Sequence, residues 1–514
     1  MNIFKKFRKL FDPIDLTQGD IKKVFTLFLI PIVLSLFFQQ VYSLTDTIIV
    51  GKNLSANDIA GVNNAVSIAS FILNFSIGCT SGFSLVLSRS IGEKNLDKAR
   101  KSVYVQLVLS ILFSIILTII GYFIIDLLLA WVKITPSETN ASMQAIYTAA
   151  KDYLIIIFLC GIFSQMLYNM VGAILRALGD SFTPFLFLVV SCVLNIFLDI
   201  LFIVPLKMGV KGSAWATVLS QALAALGAFV YAFVRYKELR FRKEDLKPSG
   251  SFIYEHIRLG IPLGFQWSIL FIGIIIMSAA VIPFDMIDST SMVAGNPAQV
   301  GYGISNKLSA ILMGIFSAIG TALLSFISQN KGAKKYDRIR KGFDFSCKLS
   351  IILSFFCVTL GLLLTINGAY QYFFLSKESI SEASIKYGNA YLYVALPFYI
   401  ALAFIYIGRN TVQALEKPLF PLLSGVVELI ARTLICLFLP TMINHGPINS
   451  SASFASYLII CFADPITWFL SNIVVTIPSF VYLNRMKKGL LMCTQLFGPT
   501  LSISYQRVDG MERA

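Results

Sequence analysis

Long apolar runs separated by short polar stretches fill almost the whole chain between residues 22 and 484. Each run reaches about 20 residues or more, the length an α-helix needs to cross a hydrocarbon core of about 30 Å. Runs such as 107–120 are apolar on every face, whereas a membrane β-barrel would show short alternating segments. The pattern predicts twelve spanning helices. Six fall at 22–50, 58–88, 101–131, 146–178, 183–206 and 210–236, and six at 256–283, 299–329, 341–375, 386–415, 419–441 and 454–484.

The two sets of six share one plan. Residues 61–112 align without a gap with 301–352, 240 positions later. Gly61 falls on Gly301 and Ser88 on Ser328, and the polar block Gly92, Lys94, Asp97, Arg100, Lys101 falls on Gly332, Lys334, Asp337, Arg340, Lys341. Leu259-Gly260-Ile261-Pro262 echoes Leu29-Ile30-Pro31, and Arg176-Ala177-Leu178-Gly179 before Pro184 parallels Gln413-Ala414-Leu415-Glu416 before Pro421. Each set holds six spans and starts on the same side, so the repeats run parallel about an axis along the membrane normal. The expected fold class is therefore all-α, a polytopic membrane protein of twelve transmembrane helices in two pseudo-two-fold related six-helix lobes. The expected division is an N-terminal segment (1–21), an N-lobe (22–236), a linker (237–255), a C-lobe (256–485) and a tail (486–514).

Composition agrees with burial in lipid. Of 514 residues, 56% are hydrophobic and 13% charged, against roughly 25% charged in soluble chains. The net charge of +15 is spread in a way that argues against nucleic acid. Lys and Arg gather in the N-terminus, around 89–101, in 235–247, in 331–341 and at 485–488, and are nearly missing from 263–306 and 433–484. That is the positive-inside pattern, which puts both termini, the linker and the tail in the cytoplasm. The eight cysteines are isolated, and the only histidines are His256 and His445, so neither a disulfide framework nor a metal-dependent enzyme is expected. Met1–Gln18 is basic and amphipathic without a cleavage site, which does not read as a signal peptide. Lys- and Ile-rich usage points to the inner membrane of a bacterium, crossed many times by the chain.

Ionisable groups inside lipid cost about 2.5–3.5 kcal/mol each on insertion scales, so each needs a reason. Asp46, Asp199, Arg409, Glu428, Arg432 and Asp464 are the deep ones, while Asp126, Lys151 and Asp152 lie near span ends. At about 1.5 Å per residue, Asp46 in the first span, Asp199 and Asn195 in the fifth and Thr217 in the sixth fall at similar depth below the outer face. Two carboxylates, an amide and a hydroxyl can share a proton or wrap a Na⁺, in which case all four are metal ligands. They can also simply bond one another as interhelical glue. In the second half, Glu428 stands four residues before Arg432, in reach of an ion pair; it is either a counter-charge for a cationic substrate or a self-neutralised structural pair. Arg409 is expected to snorkel or to cap a cytoplasmic gate. Gln39, Tyr42, Met166, Tyr168 and Asn169, with Glu428 and Arg432, are the candidates for a central substrate cavity.

Several of these stretches resemble a known family. Pro31 followed by Gln39-Gln40-Val41-Tyr42-Ser43-Leu44-Thr45-Asp46-Thr47-Ile48-Ile49-Val50-Gly51 is similar to the first-helix signature of multidrug and toxic compound extrusion (MATE) transporters, in their prokaryotic branch. So are the Gly-x-Lys-x-x-Asp-x-x-Arg-Lys loops, Arg176-Ala177-Leu178-Gly179-Asp180 and Ala463-Asp464-Pro465-Ile466, across about residues 20–485. The resemblance implies an antiporter that exports amphiphilic, often cationic compounds in exchange for H⁺ or Na⁺ by rocking two lobes. It also implies a cation site built from Asp46, Asn195, Asp199 and Thr217. Some family members carry acids deep in the seventh and tenth helices; this chain has none there, and Met277 aligns with Asp46 and Arg432 with Asn195. Coupling is therefore expected in the N-lobe alone. The expected partners are small amphiphilic molecules and the bilayer, for a monomer with no cofactor beyond the coupling ion. The alternative is a flippase for lipid-linked saccharides, which needs a strongly basic cavity that Arg409 and Arg432 scarcely supply. A membrane-embedded enzyme would need a His, Ser or metal constellation, and none assembles.

Overall fold

A computed structural model describes residues 12–137, 140–288 and 291–487. Twelve helices long and apolar enough to cross a membrane lie among them. In chain order they are α1 (Ile21–Asn53), α2 (Ala56–Gly92), α3 (Leu96–Trp131), α4 (Ala141–Ala177), α5 (Phe182–Ile203) and α6 (Gly209–Arg235). The second set is α7 (Gly250–Asp285), α8 (Pro297–Gly332), α9 (Tyr336–Phe373), α10 (Glu382–Ala414), α11 (Leu419–Asn444) and α12 (Phe454–Met486). Most of the expected tail, from 488 on, and residues 1–11 lie outside the described residues.

In lipid every backbone group must be satisfied within the chain, so long apolar runs become helices. The short polar joints then start them: Asp20, Ser55, Asn95 and Ser249 each accept from a backbone N–H in the first turn of the next helix, a common way of satisfying an otherwise unpaired donor. Contacts repeat between halves. α1 packs on α5, α5 on α6, α2 on α4 and α4 on α6; likewise α7 packs on α11, α11 on α12, α8 on α10 and α10 on α12. The lobes exchange the same contacts across the middle, α2 with α7 and α1 with α8. Equivalent helices even break at equivalent places: α4 has a π turn at Ile157–Gly161, and α10 a 3₁₀ turn at Leu396–Phe398, around Pro397.

The pseudo-two-fold axis runs between the ends of α2 and α8. Gly92 lies against the backbone carbonyl of Gln329, and Gly332 against that of Arg89, with no room for a Cβ at either. Residues 89 and 329 are themselves repeat partners, so the contact is reciprocal. This identifies what the shared glycines do: they let two helix ends meet on the axis.

That contact lies on the face carrying the basic loops, and the lobes are fastened there. Arg89 Nη1 reaches Glu255 Oε1 (2.8 Å) and Glu416 Oε1 (2.7 Å) in the other half, and Lys331 Nζ reaches Glu416 Oε2 (2.9 Å). The basic cluster around Arg89 thus makes specific inter-lobe ion pairs in addition to setting charge bias. Residues 12–20 form a strap over the same face. Ile14 N donates to Gly179 O (2.9 Å) and Arg235 pairs with Asp12 (2.7 Å) on one lobe. Asn330 and Lys335 donate to Leu16 O (3.0 Å) and Thr17 O (2.8 Å) from the other, with the Leu16 side chain fully buried. The stretch read as linker is also docked: Asp245 accepts from Arg100 (2.9 Å), and α7 begins at Gly250, so Glu255 and the buried His256, bonded to Ser102 (2.8 Å), are helical.

Toward the opposite face the lobes part. Ser88 Oγ donates to Ser325 O (3.5 Å) near the basic face, and Leu36 approaches Gly314 midway along α8. Beyond that level the sides of α2 and α8 that meet near the basic face carry exposed residues, Asn63 and Ser67 on one and Lys307 and Ala310 on the other, which by helix periodicity makes them the walls of a cleft between the lobes.

Candidate ion and substrate sites

The depth-matched residues of the first half come together. α1 brings Asp46 and, one turn earlier, Tyr42; α5 brings Asn195 and Asp199; α6 brings Thr217, on helices that pack α1 to α5 to α6. Asp46, Asn195 and Asp199 lie within interaction range of one another, and Tyr42, Thr217 and Tyr153 from α4 close the group. Asn195 and Asp199 are fully buried. Yet Asp46 Oδ1, both Asp199 oxygens and both polar atoms of the Asn195 amide have no hydrogen-bond partner in the protein. Buried polar groups are nearly always paired, so a cluster with four unpartnered oxygens, three of them carboxylate, is a place where a proton or a hard cation fits. No group of three or more His, Cys, Asp and Glu that could hold a metal gathers among the described residues, and this cluster itself has two carboxylates.

A cavity of about 60 Å³ adjoins this group, lined by Ser70 of α2, Tyr153, Ile157 and Gly161 of α4, and Thr217 and Gln221 of α6. Water occupies about 30 Å³ per molecule, so the space suits one or two waters between the cleft side of α2 and Thr217. The π turn of α4 forms its wall, and Thr118 Oγ1 of α3 donates to Phe158 O (2.8 Å) within that turn. Tyr153 was not singled out in the sequence. Its signal, a helix irregularity four residues on, has no composition of its own.

The second lobe fills the corresponding place with a closed set of charges. Glu428 pairs with Arg409 and, at 3.6 Å, with Arg432; Arg432 Nη2 donates to Asp464 Oδ1 (2.8 Å), and Tyr391 donates to Asp464 Oδ2 (2.8 Å). Arg409 also reaches Ser424 (2.8 Å) and Ser471 (3.3 Å). Two arginines and two acids, all buried, balance. Arg409 therefore neither snorkels nor caps a gate: it is held inside the lobe by Glu428. The i,i+4 pair of Glu428 and Arg432 exists, but the shorter bonds of both residues go to other helices, which sequence spacing could not show.

Of the other cavity candidates, Gln39 is exposed, and Tyr42, Tyr168 and Asn169 are half-buried, with Asn169 Nδ2 unpartnered. Met166 is different. It is 1% exposed and packs among Cys79, Phe83, Val105 and Leu109, so it belongs to the core of the lobe and lines no cavity surface. Near the face away from the basic loops, Asp126 pairs with Lys151 (2.7 Å) and Asp152 with Lys211 (3.2 Å). Lys307 of α8 escaped the sequence reading because it stands just past a long Lys-free stretch; it is exposed on the cleft wall.

Comparison with known proteins places these features. The family model MatE matches residues 31–201 and 268–438, one copy in each half. The probable multidrug resistance protein YoeA of Bacillus subtilis (strain 168) is 27% identical over 78% of this chain and 83% of its own. The probable multidrug resistance protein YpnP of the same organism is 30% identical over 63% of this chain and 68% of its own. Among solved structures, that of MATE in complex with MaL6 superposes with a TM-score of 0.78 at 19% identity, covering 93% of this chain and 99% of that one.

Proposed function

The chain belongs to the MatE family of multidrug-efflux membrane transporters, and from that premise we propose that it is an antiporter coupling export of amphiphilic compounds to entry of H⁺ or Na⁺ at the Asp46–Asp199 pair. The observation that carries this is the set of buried polar atoms at Asp46, Asn195 and Asp199 that lie close together without a well-formed hydrogen bond. A proton shared by the two carboxylates, or a Na⁺ between their oxygens with Asn195 and Thr217, satisfies those atoms. α1 links the site to the rest of the molecule. It carries Asp46 and also packs on α8 of the other lobe, so an ion at Asp46 bears on a helix that touches both lobes.

The positive-inside rule makes the basic face cytoplasmic. On that assignment the lobes are closed inside by Arg89, Glu255, Glu416, Lys331 and the N-terminal strap, and parted outside. Alternating access is then a rocking of the lobes about the α2–α8 axis. Coupling requires the two states to bind the ion with different affinity. The flippase alternative needs a strongly basic cavity; Arg409 and Arg432 are both paired with acids, which leaves the single exposed Lys307.

The test is transport of a fluorescent amphiphile by purified protein in proteoliposomes, under an imposed pH or Na⁺ gradient. One of the two gradients should drive accumulation against the amphiphile's own gradient, and collapsing it should stop transport. Equal rates with and without both gradients would refute coupling.

A further inference from the structure

We propose that Lys307 is a specificity-determining residue of the transport cleft, where its ammonium holds an anionic group, a carboxylate or sulfonate, of an amphiphilic cargo. The inference rests on the export reading above and concerns which cargo the cleft holds.

The direction of the side chain follows from helix geometry. Ser325 of α8 accepts from Ser88 of α2 across the lobe boundary. Lys307 stands 18 residues before Ser325, five turns at 3.6 residues per turn, and so projects toward the opposite lobe. Gly314, seven residues on from Lys307 and on the same side, approaches Leu36 of α1 across the same boundary. The repeat gives the facing wall: Ser67 of α2 is the partner of Lys307, and Asn63, Ser70 and Asn74 continue its stripe.

The α2 stripe has no charge to offer, and Asp46 of α1, the acid that the facing lobe brings along α8, makes no ion pair with Lys307 and leaves its Oδ1 unpartnered. Ser67, Ser70 and Asn74 each donate to a carbonyl one turn back in α2. The C-lobe acids Glu428 and Asp464 are committed to Arg409 and Arg432, and Asp285 accepts from the first N–H groups of α8. Lys307 itself is exposed and makes no ion pair or hydrogen bond among the described residues. It lies ten residues below Pro297, about 15 Å, too deep for its stem to reach the outer face. An ammonium facing lipid tails is heavily disfavoured; one facing a cleft is hydrated and ready for an anion. The apolar surroundings weaken competition from water, which strengthens a charge-assisted bond to an oxyanion.

Two probes that share the dansyl fluorophore, dansylglycine (an anion) and dansylcadaverine (a cation), read the preference by fluorescence anisotropy on the full chain in phosphatidylcholine nanodiscs. The wild type should favour the anion. Lys307→Gln should lower the anion-to-cation affinity ratio by about tenfold, Lys307→Arg should keep it, and adding Ser67→Lys to Lys307→Gln should restore it from the facing wall. A wild type that favours the cation, or a ratio unmoved by Lys307→Gln, overturns the inference while leaving export untouched. Failure to bind either probe overturns both. Competition by added phosphatidylglycerol that depends on Lys307 would assign the site to a lipid headgroup and overturn the substrate assignment.

Discussion

Gly273 of α7 and Tyr42 of α1 hold equivalent places in the repeat, and the difference between them separates the two lobes chemically. Tyr42 reaches toward Thr217, Asp46 and Asp199. Gly273 leaves its place to Arg432: a Cβ there would stand 2.8 Å from Nη1 and 3.2 Å from Cδ of that guanidinium. Arg432 cannot simply swing aside, because Asp464 holds its Nε and Nη2 and Glu428 pairs with Nη1 itself. Gly273→Val should therefore cost about 1–3 kcal/mol by overpacking and by loosening the charge set. Gly51→Ala in α1, where a Cβ meets nothing within 4 Å, should stabilise slightly. Thermal unfolding in detergent checks this, and equal midpoints for the two variants would contradict it.

At the scale of elements, the sequence carried depth and repetition but not adjacency. Helix rise converts residue number into depth, and so Asp46, Asn195, Asp199 and Thr217 could be grouped without knowing which helices touch. The recurrence of Gly92 and Gly332 in one polar block was legible, but its reason, a reciprocal meeting of α2 and α8 on the axis, is geometric. What stayed hidden depends on packing between distant helices. Tyr153 enters the site from α4 beside a π turn, and Asp464 of α12, which Tyr391 of α10 holds, accepts from Arg432. Met166 was misjudged for the same reason. Its face of α4 turns to Cys79 and Phe83, inside the lobe.

The whole molecule is fastened at one face by charge, and that fastening should respond to acid. Burial would raise the Glu416 carboxyl, but Lys331 and Arg89 outweigh it and hold the group below its ordinary value of 4.5. A depressed pKa means the closed state gains stability above the ordinary value and loses it as pH falls through the lowered one. Closure measured by distance between spin labels on the basic ends of α2 and α8 should thus hold from neutral to about pH 5 and fail only below the ordinary glutamate range. Glu416→Gln should open it already at neutral pH. Closure that weakens between pH 7 and pH 5 in the wild type would contradict the account.

The central claim is that one ion, held by the Asp46–Asp199 pair, exchanges with the cargo. It is tested most directly by adding an amphiphilic substrate to purified, lightly buffered protein and recording the cation set free, H⁺ with a pH-sensitive dye or Na⁺ with a tracer. By linkage, a cargo that competes with the ion must expel it. The wild type should release about one cation per protein on saturation, and Asp46→Asn and Asp199→Asn, folded and still binding the amphiphile, should release none. Release of the same amount by either variant would contradict the assignment of the coupling ion to this pair.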